Sequence, residues 1–530
     1  MVKNTDSLFP GIVCYACVLM LVVPLTSLDF YIPEPRATMF LWNNSEDKLQ
    51  EECGVFGIWG HPEASTITAL GLHALQHRGQ EAAGIVSCDG KHFHSERRLG
   101  LVGDNFTKKP VINKLPGSSA IGHVRYSTTG EPALRNVQPL FADLAGGGFA
   151  VAHNGNITNA LTLRGELVKN GAIFQSTSDT ETILQLIARS KLAYDSVIQD
   201  EQVSRFIDAL GSVEGAYALV ALTGDKLIGV RDPLGIRPLV IGKLDNFFIL
   251  SSETCALDII GAKLVREVSN GEVVVISDQG IRSFMPFPVA PYRPCIFEYI
   301  YFARPDSVVG GLSVYECRKK IGQQLAREST NSGEVVVPVP DSGVPAALGF
   351  AEESKIPFQL GIIRNHYVGR TFIEPQQSSR DFGVKLKHNV NRQVVEGKSV
   401  VLIDDSIVRG TTSVKIVELM REAGASEVHM KIASPPIKFP DFYGIDTPST
   451  SQLLASFKSI DEMRKFIGAD SLSFLSVDGL YKAMGHKNGR DNDNPAFTDH
   501  CFTGDYPTTL EDNSREGFEE PSQLVVKKEM

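Results

Sequence analysis

The chain has 530 residues, 42 % of them apolar and 22 % charged, and 52 basic against 62 acidic side chains leave a formal net charge of −10. That length suggests two or three folding units, and the composition is ordinary for a soluble protein and excludes global disorder. An acidic balance without clustered Lys and Arg argues against general nucleic-acid binding, so any phosphate it takes is expected to be small. Eight cysteines, Cys14, Cys17, Cys53, Cys88, Cys255, Cys295, Cys317 and Cys501, are too few and too scattered for a disulfide scaffold, which points to a reducing, cytoplasmic setting.

Residues 1–52 read as a leader. Its apolar run, Ile12 to Val23, is shorter than the roughly 20 residues a membrane helix needs and is followed by Pro24. No clear cleavage site follows it, so neither secretion nor membrane anchoring is expected, and Met39 offers a second start. From Cys53 to about Ser283 short β-runs alternate with glycines: Gly54–Trp59, Phe149–His153, Ala216–Thr223, Lys226–Val230 and Phe247–Ser251. Helical periodicity appears over Thr66–Gln76 and Asp179–Arg189, which fits sheets with helices packed outside. Proline density rises between Pro286 and Pro294, so the domain boundary is placed there.

Beyond it the pattern becomes alternating: a helix Val314–Glu328, a strand Glu334–Val339, a helix Val344–Glu353, a strand Gln359–Ile363, a polar loop to about Asn391, a strand Ser399–Ile403, a helix Thr412–Ala423 and a strand Glu427–Ile432. Such alternation predicts a parallel α/β sheet. The expected units are therefore 1–52, 53–286, 287–485 and a polar, mobile tail 486–530.

The strongest local pattern is Val400-Val-Leu-Ile-Asp404-Asp405-Ser406-Ile-Val-Arg409-Gly410-Thr411-Thr412, a buried-strand run ending in two acids and a Gly/Thr turn before a helix. In open α/β sheets ligands sit beyond the carboxyl ends of the strands, where helix N-termini offer free N–H groups to phosphate. Ser406 to Thr412 suit a monophosphate, while Asp404 and Asp405 suit a diol or hydrated Mg²⁺. This run resembles the phosphoribosyl-pyrophosphate motif of type I phosphoribosyltransferases. The resemblance implies that Asp341 and Ser342, in Val339-Pro-Asp341-Ser342-Gly343, form a pyrophosphate loop, with Ser342 joining Asp404 and Asp405 at Mg²⁺. It also implies that the basic loop holding Tyr367, Arg370, Arg380 and Lys387 closes over the pyrophosphate, with His366 where the family usually has Arg.

Cys53 lies in Glu51-Glu52-Cys53-Gly54-Val55-Phe56-Gly57, and alone such a cysteine is most often a buried apolar group. Downstream come Gln76-His77-Arg78-Gly79-Gln80, Gly122-His123-Val124-Arg125-Tyr126-Ser-Thr128-Thr129-Gly130, His153-Asn154-Gly155-Asn156 and Ser176-Thr-Ser178-Asp179. In this order they resemble the class II glutamine amidotransferase domain, an N-terminal-nucleophile fold. The resemblance implies Cys53 as nucleophile, Asn154 and Gly155 as oxyanion donors, and Arg125, Tyr126 and Asp179 as the glutamine-binding residues. An α-amine at Cys53 can serve as base, so no catalytic histidine is needed, and His77 and His123 suit a role as satisfied core residues.

An amidotransferase followed by a phosphoribosyltransferase resembles the amidophosphoribosyltransferase family over about Cys53 to Gly485. The implied fold is an α+β, αββα N-terminal-nucleophile domain followed by an α/β parallel-sheet domain. The implied reaction converts glutamine, phosphoribosyl pyrophosphate and water to phosphoribosylamine, glutamate and pyrophosphate at the start of purine synthesis. Internally passed ammonia, purine nucleotide inhibitors and a homotetramer or homodimer are further implications. Members with a propeptide usually carry a 4Fe–4S cluster on four cysteines. Here Cys295 and Cys501 occupy two of the positions, while Asp441 and Thr498 stand at the others, so no cluster is expected. Two alternatives are a glutamine amidotransferase with another sugar-phosphate acceptor, opposed by Asp404-Asp405, and a non-catalytic nucleotide sensor, opposed by Cys53, Arg125, Asn154 and Asp179.

Overall fold

A computed structural model describes residues 50–51, 53–126, 133–192, 195, 197–330, 332–365, 388–447 and 449–514. The apolar run 12–23, Met39, Thr128, Thr129, His366, Tyr367, Arg370, Arg380 and Lys387 lie outside the described residues. Those described all belong to one unit, Glu46–Met530. Among them no helix is long and apolar enough to cross a membrane.

The first half is built on β1 (Gln50–Glu51), β2 (Gly54–Ile58), β3 (Ala82–Cys88), β4 (Phe93–Leu99), β5 (Ser119–Arg125), β6 (Leu140–Leu144), β7 (Gly147–Ile157), β8 (Gly215–Leu222), β9 (Leu227–Arg231), β10 (Val240–Leu244), β11 (Phe247–Ser251), β12 (Lys263–Glu267), β13 (Val273–Ser277) and β14 (Gly280–Phe284). Seven strands form one sheet in the order β12-β10-β11-β2-β5-β3-β4, and six form a second, β14-β13-β9-β8-β7-β6. Successive strand residues point to opposite faces, and here both faces are buried. Phe56 and Ile58 pack with Ile67 and Leu72 of the helix Ala64–Ala74, whereas Val55, next to Phe56, faces the second sheet, in a cluster with Ala150, Ala152, Ala218 and Val220. Phe149 and Val151 turn the other way, onto Ile183 and Ile187 of the helix Thr180–Arg189 and Phe206 of Glu201–Leu210. Three apolar layers thus separate four structural ones, the αββα sandwich expected from sequence.

The second half adds β15 (Val308–Val309), β16 (Leu312–Ser313), β17 (Val335–Pro338), β18 (Ile362–Arg364), β19 (His388–Val390), β20 (Ser399–Asp404), β21 (Glu427–Ile432), β22 (Ile445–Asp446) and β23 (Ser471–Phe474). The order β17-β20-β21-β23 is parallel throughout. Val336, Val401 and Ile403 face the helices Val314–Glu328 and Val344–Ser354, while Val335, Val337, Val400 and Leu402 face Thr411–Glu422. Burial on both faces explains the unbroken apolar runs of these strands.

Two expectations are corrected. The stretch Gln359–Ile363 does not form a full strand of the parallel sheet and meets it only at one parallel bridge. Gln359 N bonds Val336 O and Phe358 makes an isolated bridge to Val336, after which Ile362–Arg364 pairs antiparallel with β19. The stretch after His486 is not a solvated tail as far as Ser514, because Phe497, Cys501 and Phe502 enter the same core as Cys295, Phe297 and Tyr443. Its polar groups pair internally, Arg490 Nε donating to Asp499 Oδ2 at 2.7 Å and Tyr481 Oη to the same oxygen at 2.8 Å.

Candidate active sites

Strand parity assembles the first site. On β2 the inward position is Val55, and Cys53 stands directly before the strand; on β5 Ile121 is inward, and with it His123 and Arg125; on β7 Ala150 and Ala152 are inward, and with them Asn154. Gly54 pairs with Val124, so the neighbours Cys53 and Arg125 lie at the same end of the two strands. Cys53, Arg125 and Asn154 are all buried. Cys53 adopts a φ of 84°, and its N–H donates to Arg78 O at 3.1 Å.

Ser252 ties two strands to this end of the sandwich. Its Oγ accepts from Val55 N at 3.0 Å and from Asn154 Nδ2 at 3.4 Å. Gly155 has φ +135°, and a Cβ there would stand 2.0 Å from Ala216 O, so the position requires glycine. Asp179 sits at the N-cap of Thr180–Arg189, accepting from Thr180 N at 2.8 Å and Ile157 N at 3.1 Å, with His153 Nδ1 3.4 Å away. Although burial acts to raise it, His153 and these N–H groups hold the Asp179 carboxyl below its ordinary value. Burial, reinforced by the charge of Arg125, pushes the His123 imidazole down to about 3, and its Nε2 lies 3.1 Å from His153 O. His123 is thus a buried core residue, but not the fully satisfied one expected, because its Nδ1 has no hydrogen-bond partner among the described residues; His77 Nε2 lies 2.6 Å from Glu253 Oε1.

Sequence reasoning missed the supports beneath these residues. Ser252, Glu253 and Glu298 are buried although each is polar. Glu253 contacts Arg78 Nε and accepts from Arg304 N at 2.9 Å and Ser307 Oγ at 2.6 Å. The signal available was the polar run Ser251–Thr254 directly after an apolar strand, with no glycine or proline to mark it as a solvated turn.

The second site lies at the carboxyl end of β20. Asp404, Asp405 and Ser406 are buried there. Ser342 Oγ donates to Asp405 Oδ1 at 2.6 Å, Ser406 Oγ to Asp405 Oδ2 at 2.9 Å, and Asp405 N to Asp404 Oδ1 at 2.9 Å. The turn carrying Ser342 reaches β20 because Gly343 has no side chain: a Cβ would stand 2.6 Å from Ile403 O. Asp341 is half out in solvent, bonded to Arg364 Nη1 at 2.7 Å. Gly410, with φ +81°, caps the helix Thr411–Glu422, so Thr411 and Thr412 open its first turn; Arg409 Nε donates to Gln452 Oε1 at 3.2 Å. An all-oxygen donor set of Asp404, Asp405 and Ser342 suits a hard cation.

The four positions at which the sequence resemblance implies cluster ligands carry a different donor set. Thr498 Oγ1 is committed to Arg293 O at 2.6 Å, and Asp441 Oδ2 accepts from Tyr443 N and Ile445 N at 2.7 Å each. With Cys295 and Cys501 the only cysteines there, four-thiolate ligation of a cluster does not fit.

The two halves meet near the first site. Asn156 Nδ2 donates to Phe442 O at 2.9 Å, and a Cβ on Gly444 would stand 2.9 Å from Gly155 Cα. The next residues, β22, pair with β1: Gln50 opposes Asp446 and Glu51 opposes Ile445.

Residues 123–258 match a family model described as a glutamine amidotransferase domain, and residues 313–433 match one described as a phosphoribosyl transferase domain. The amidophosphoribosyltransferase of Rhizobium etli is 62 % identical over 478 residues, 89 % of this chain and 95 % of that protein. That of Bacillus subtilis is 49 % identical over 463 residues, 87 % and 95 % of the two chains. The solved glutamine phosphoribosylpyrophosphate amidotransferase from B. subtilis, complexed with ADP and GMP, matches with a TM-score of 0.80 at 48 % identity, covering 86 % of this chain and 98 % of that one. Identity at this level over nearly the whole of both chains, with both domain types in the same order, leaves one conclusion: the chain belongs to the amidophosphoribosyltransferase family, pentosyltransferases of purine biosynthesis with glutamine amidotransferase activity.

Proposed function

We propose that Cys53, made N-terminal by removal of residues 1–52, is the nucleophile that releases ammonia from glutamine. Its thiol proton passes to its own α-amine, and the thiolate attacks the carboxamide carbon. The oxyanion takes hydrogen bonds from Asn154 Nδ2 and Gly155 N–H, ammonia departs, and water then hydrolyses the thioester to glutamate. Arg125 holds the substrate carboxylate as a fork donor beside Tyr126, and Asp179 holds the α-ammonium. One observation supports this reading: Gly54, next to Cys53, pairs with Val124, next to Arg125, and Ser252 Oγ accepts from both Val55 N and Asn154 Nδ2.

In the second site ammonia attacks C1 of the ribose and pyrophosphate leaves. Asp404 and Asp405 bind the ribose diol and, with Ser342, hold Mg²⁺, which when bound offsets pyrophosphate charge. Ser406, Arg409, Gly410, Thr411 and Thr412 cradle the 5′-phosphate, and Asp341 with Tyr367, Arg370, Arg380 and Lys387 takes the pyrophosphate. Residues 53–286 and 287–485 are the two catalytic domains, joined in a homotetramer or homodimer in the cytoplasm and inhibited by purine nucleotides. The bound ADP and GMP of the B. subtilis relative support the last point.

The test is intact mass and N-terminal sequencing of the purified chain, with pyrophosphate release measured using glutamine and using ammonium chloride. A chain beginning at Cys53 that uses both nitrogen sources, and a Cys53→Ala variant that uses ammonia alone, are expected. Glutamine-dependent turnover by Cys53→Ala overturns the assignment.

A further inference from the structure

Asp441, His500 and Cys501 bring a carboxylate oxygen, an imidazole nitrogen and a sulfur within 4.8 Å of one another, all buried. Asp441 Oδ1 lies 2.7 Å from His500 Nε2, and that same nitrogen lies 3.4 Å from Cys501 Sγ. Asp441 Oδ1 nevertheless has no aligned hydrogen-bond donor, although it is fully enclosed. Its other oxygen is saturated by the N–H groups of Tyr443 and Ile445, which aims Oδ1 into the cluster. The His500 ring is held between Tyr443 and Tyr506, at centroid distances of 5.0 and 4.9 Å. Three different donor atoms therefore converge within 4.8 Å, and the carboxylate oxygen among them makes no aligned hydrogen bond.

We propose that Asp441, His500 and Cys501 are the protein ligands of a single divalent cation of the zinc class. The donor set selects the ion. Sulfur and imidazole beside one carboxylate suit a borderline cation, whereas Mg²⁺ and Ca²⁺ take oxygen ligands. Donors held at about 2.0–2.3 Å around a tetrahedral ion stand about 3–4 Å apart; the 3.4 Å from His500 Nε2 to Cys501 Sγ already fits, and the 2.7 Å from that nitrogen to Asp441 Oδ1 has to open slightly as the ion enters. Charge agrees: a dication with one carboxylate, one thiolate and a neutral imidazole leaves a buried site of zero net charge. On binding, the Cys501 S–H bond breaks, the sulfur–metal bond forms and one proton leaves to solvent.

The site ties the loop Asp441–Ile445 to the helix His500–Thr503. That loop reaches Gly155 through Gly444 and Asn156 through Phe442 O, and continues into β22, which pairs with β1. The ion is thus a structural staple beneath the amidotransferase site, and the inference does not depend on the roles assigned to Cys53 or Asp404.

The test uses the full chain, stripped of metal and titrated with Co²⁺ alone. One cobalt per chain is expected, with a thiolate-to-cobalt charge-transfer band, four-coordinate d–d absorption and stoichiometric displacement by Zn²⁺. Cys501→Ser should lose the charge-transfer band and His500→Gln should bind cobalt at least about tenfold more weakly. Absence of the band, its survival in Cys501→Ser, or iron–sulfur absorption in the chain as purified overturns the proposal. X-ray absorption at the zinc edge of the wild-type chain needs no variant to fold: a shell containing sulfur and imidazole nitrogen supports the site, and a shell of oxygen alone refutes it.

Discussion

The carbonyl of Arg78 accepts the N–H of Cys53 at 3.1 Å, while the guanidinium of the same arginine is enclosed between Glu253 and Glu298. One residue therefore links the nucleophile candidate to the segment that joins the two halves. Breaking a buried ion pair by removing one partner leaves an uncompensated charge and costs about 3–5 kcal/mol. Glu298→Gln should lose stability of that order in urea unfolding and lower glutamine-dependent turnover more than ammonia-dependent turnover. Equal loss of both activities would mean that Arg78 supports the fold without positioning Cys53.

Gly155 offers a sharper separation of the two sites. An alanine Cβ would press on Ala216 O, and φ +135° is a conformation L side chains rarely adopt. The strand must shift and move the Gly155 N–H, and loss of one oxyanion donor typically costs about 10²–10³ in rate. Gly155→Ala is expected to lose about 100-fold in glutamine-dependent pyrophosphate release with the ammonia-dependent rate kept. A parallel fall in both would place Gly155 outside the glutamine chemistry.

How far the sequence discloses this molecule depends on whether a signal is local. The helix Val314–Glu328 and the strands Phe247–Ser251 and Glu427–Ile432 have the limits that periodicity predicts, because apolar runs bounded by polar or glycine residues are complete in themselves. Ile362–Arg364 is different. Its partner, His388–Val390, lies beyond residues 366–387, so the choice between parallel sheet and hairpin is made by a non-local contact. The segment after His486 deceived for a physical reason: Arg490, Asp499 and Tyr481 satisfy one another inside the protein, so its polarity did not mean solvation. The same applies to the sites. Cys53, Arg125, Asn154 and Asp404 stand in recognisable runs, whereas Ser252, Glu253, Glu298 and His500 matter through partners distant in the chain.

Ser342 tests the second site. Its hydroxyl donates to Asp405 Oδ1 at 2.6 Å and so links the two turns that face each other across the end of β20. A hydrogen bond to a charged group contributes about 1.5–3 kcal/mol, a factor of about 10–100 in an equilibrium. Ser342→Ala should raise the Mg²⁺ concentration needed for half-maximal pyrophosphate release about tenfold, with either nitrogen source. An unchanged Mg²⁺ dependence would remove Ser342 from the metal site and leave it as a support for Asp405.

His123 gives a pH prediction with a definite sign. Its imidazole is fully buried, and burial first, then the charge of Arg125, bring it down to about 3 from an ordinary value of 6.5. The unfolded chain therefore binds a proton that the folded chain refuses. The stability that neutral His123 provides is complete above about pH 6.5 and is lost as pH falls toward 3, with a slope approaching about 1.4 kcal/mol per pH unit for one proton. His123→Gln keeps an amide donor for His153 O and removes the titration. Urea unfolding of the two proteins between pH 7 and pH 4 should show the wild-type curve falling more steeply by close to one proton's worth, and parallel curves would mean that the folded protein carries this imidazole charged.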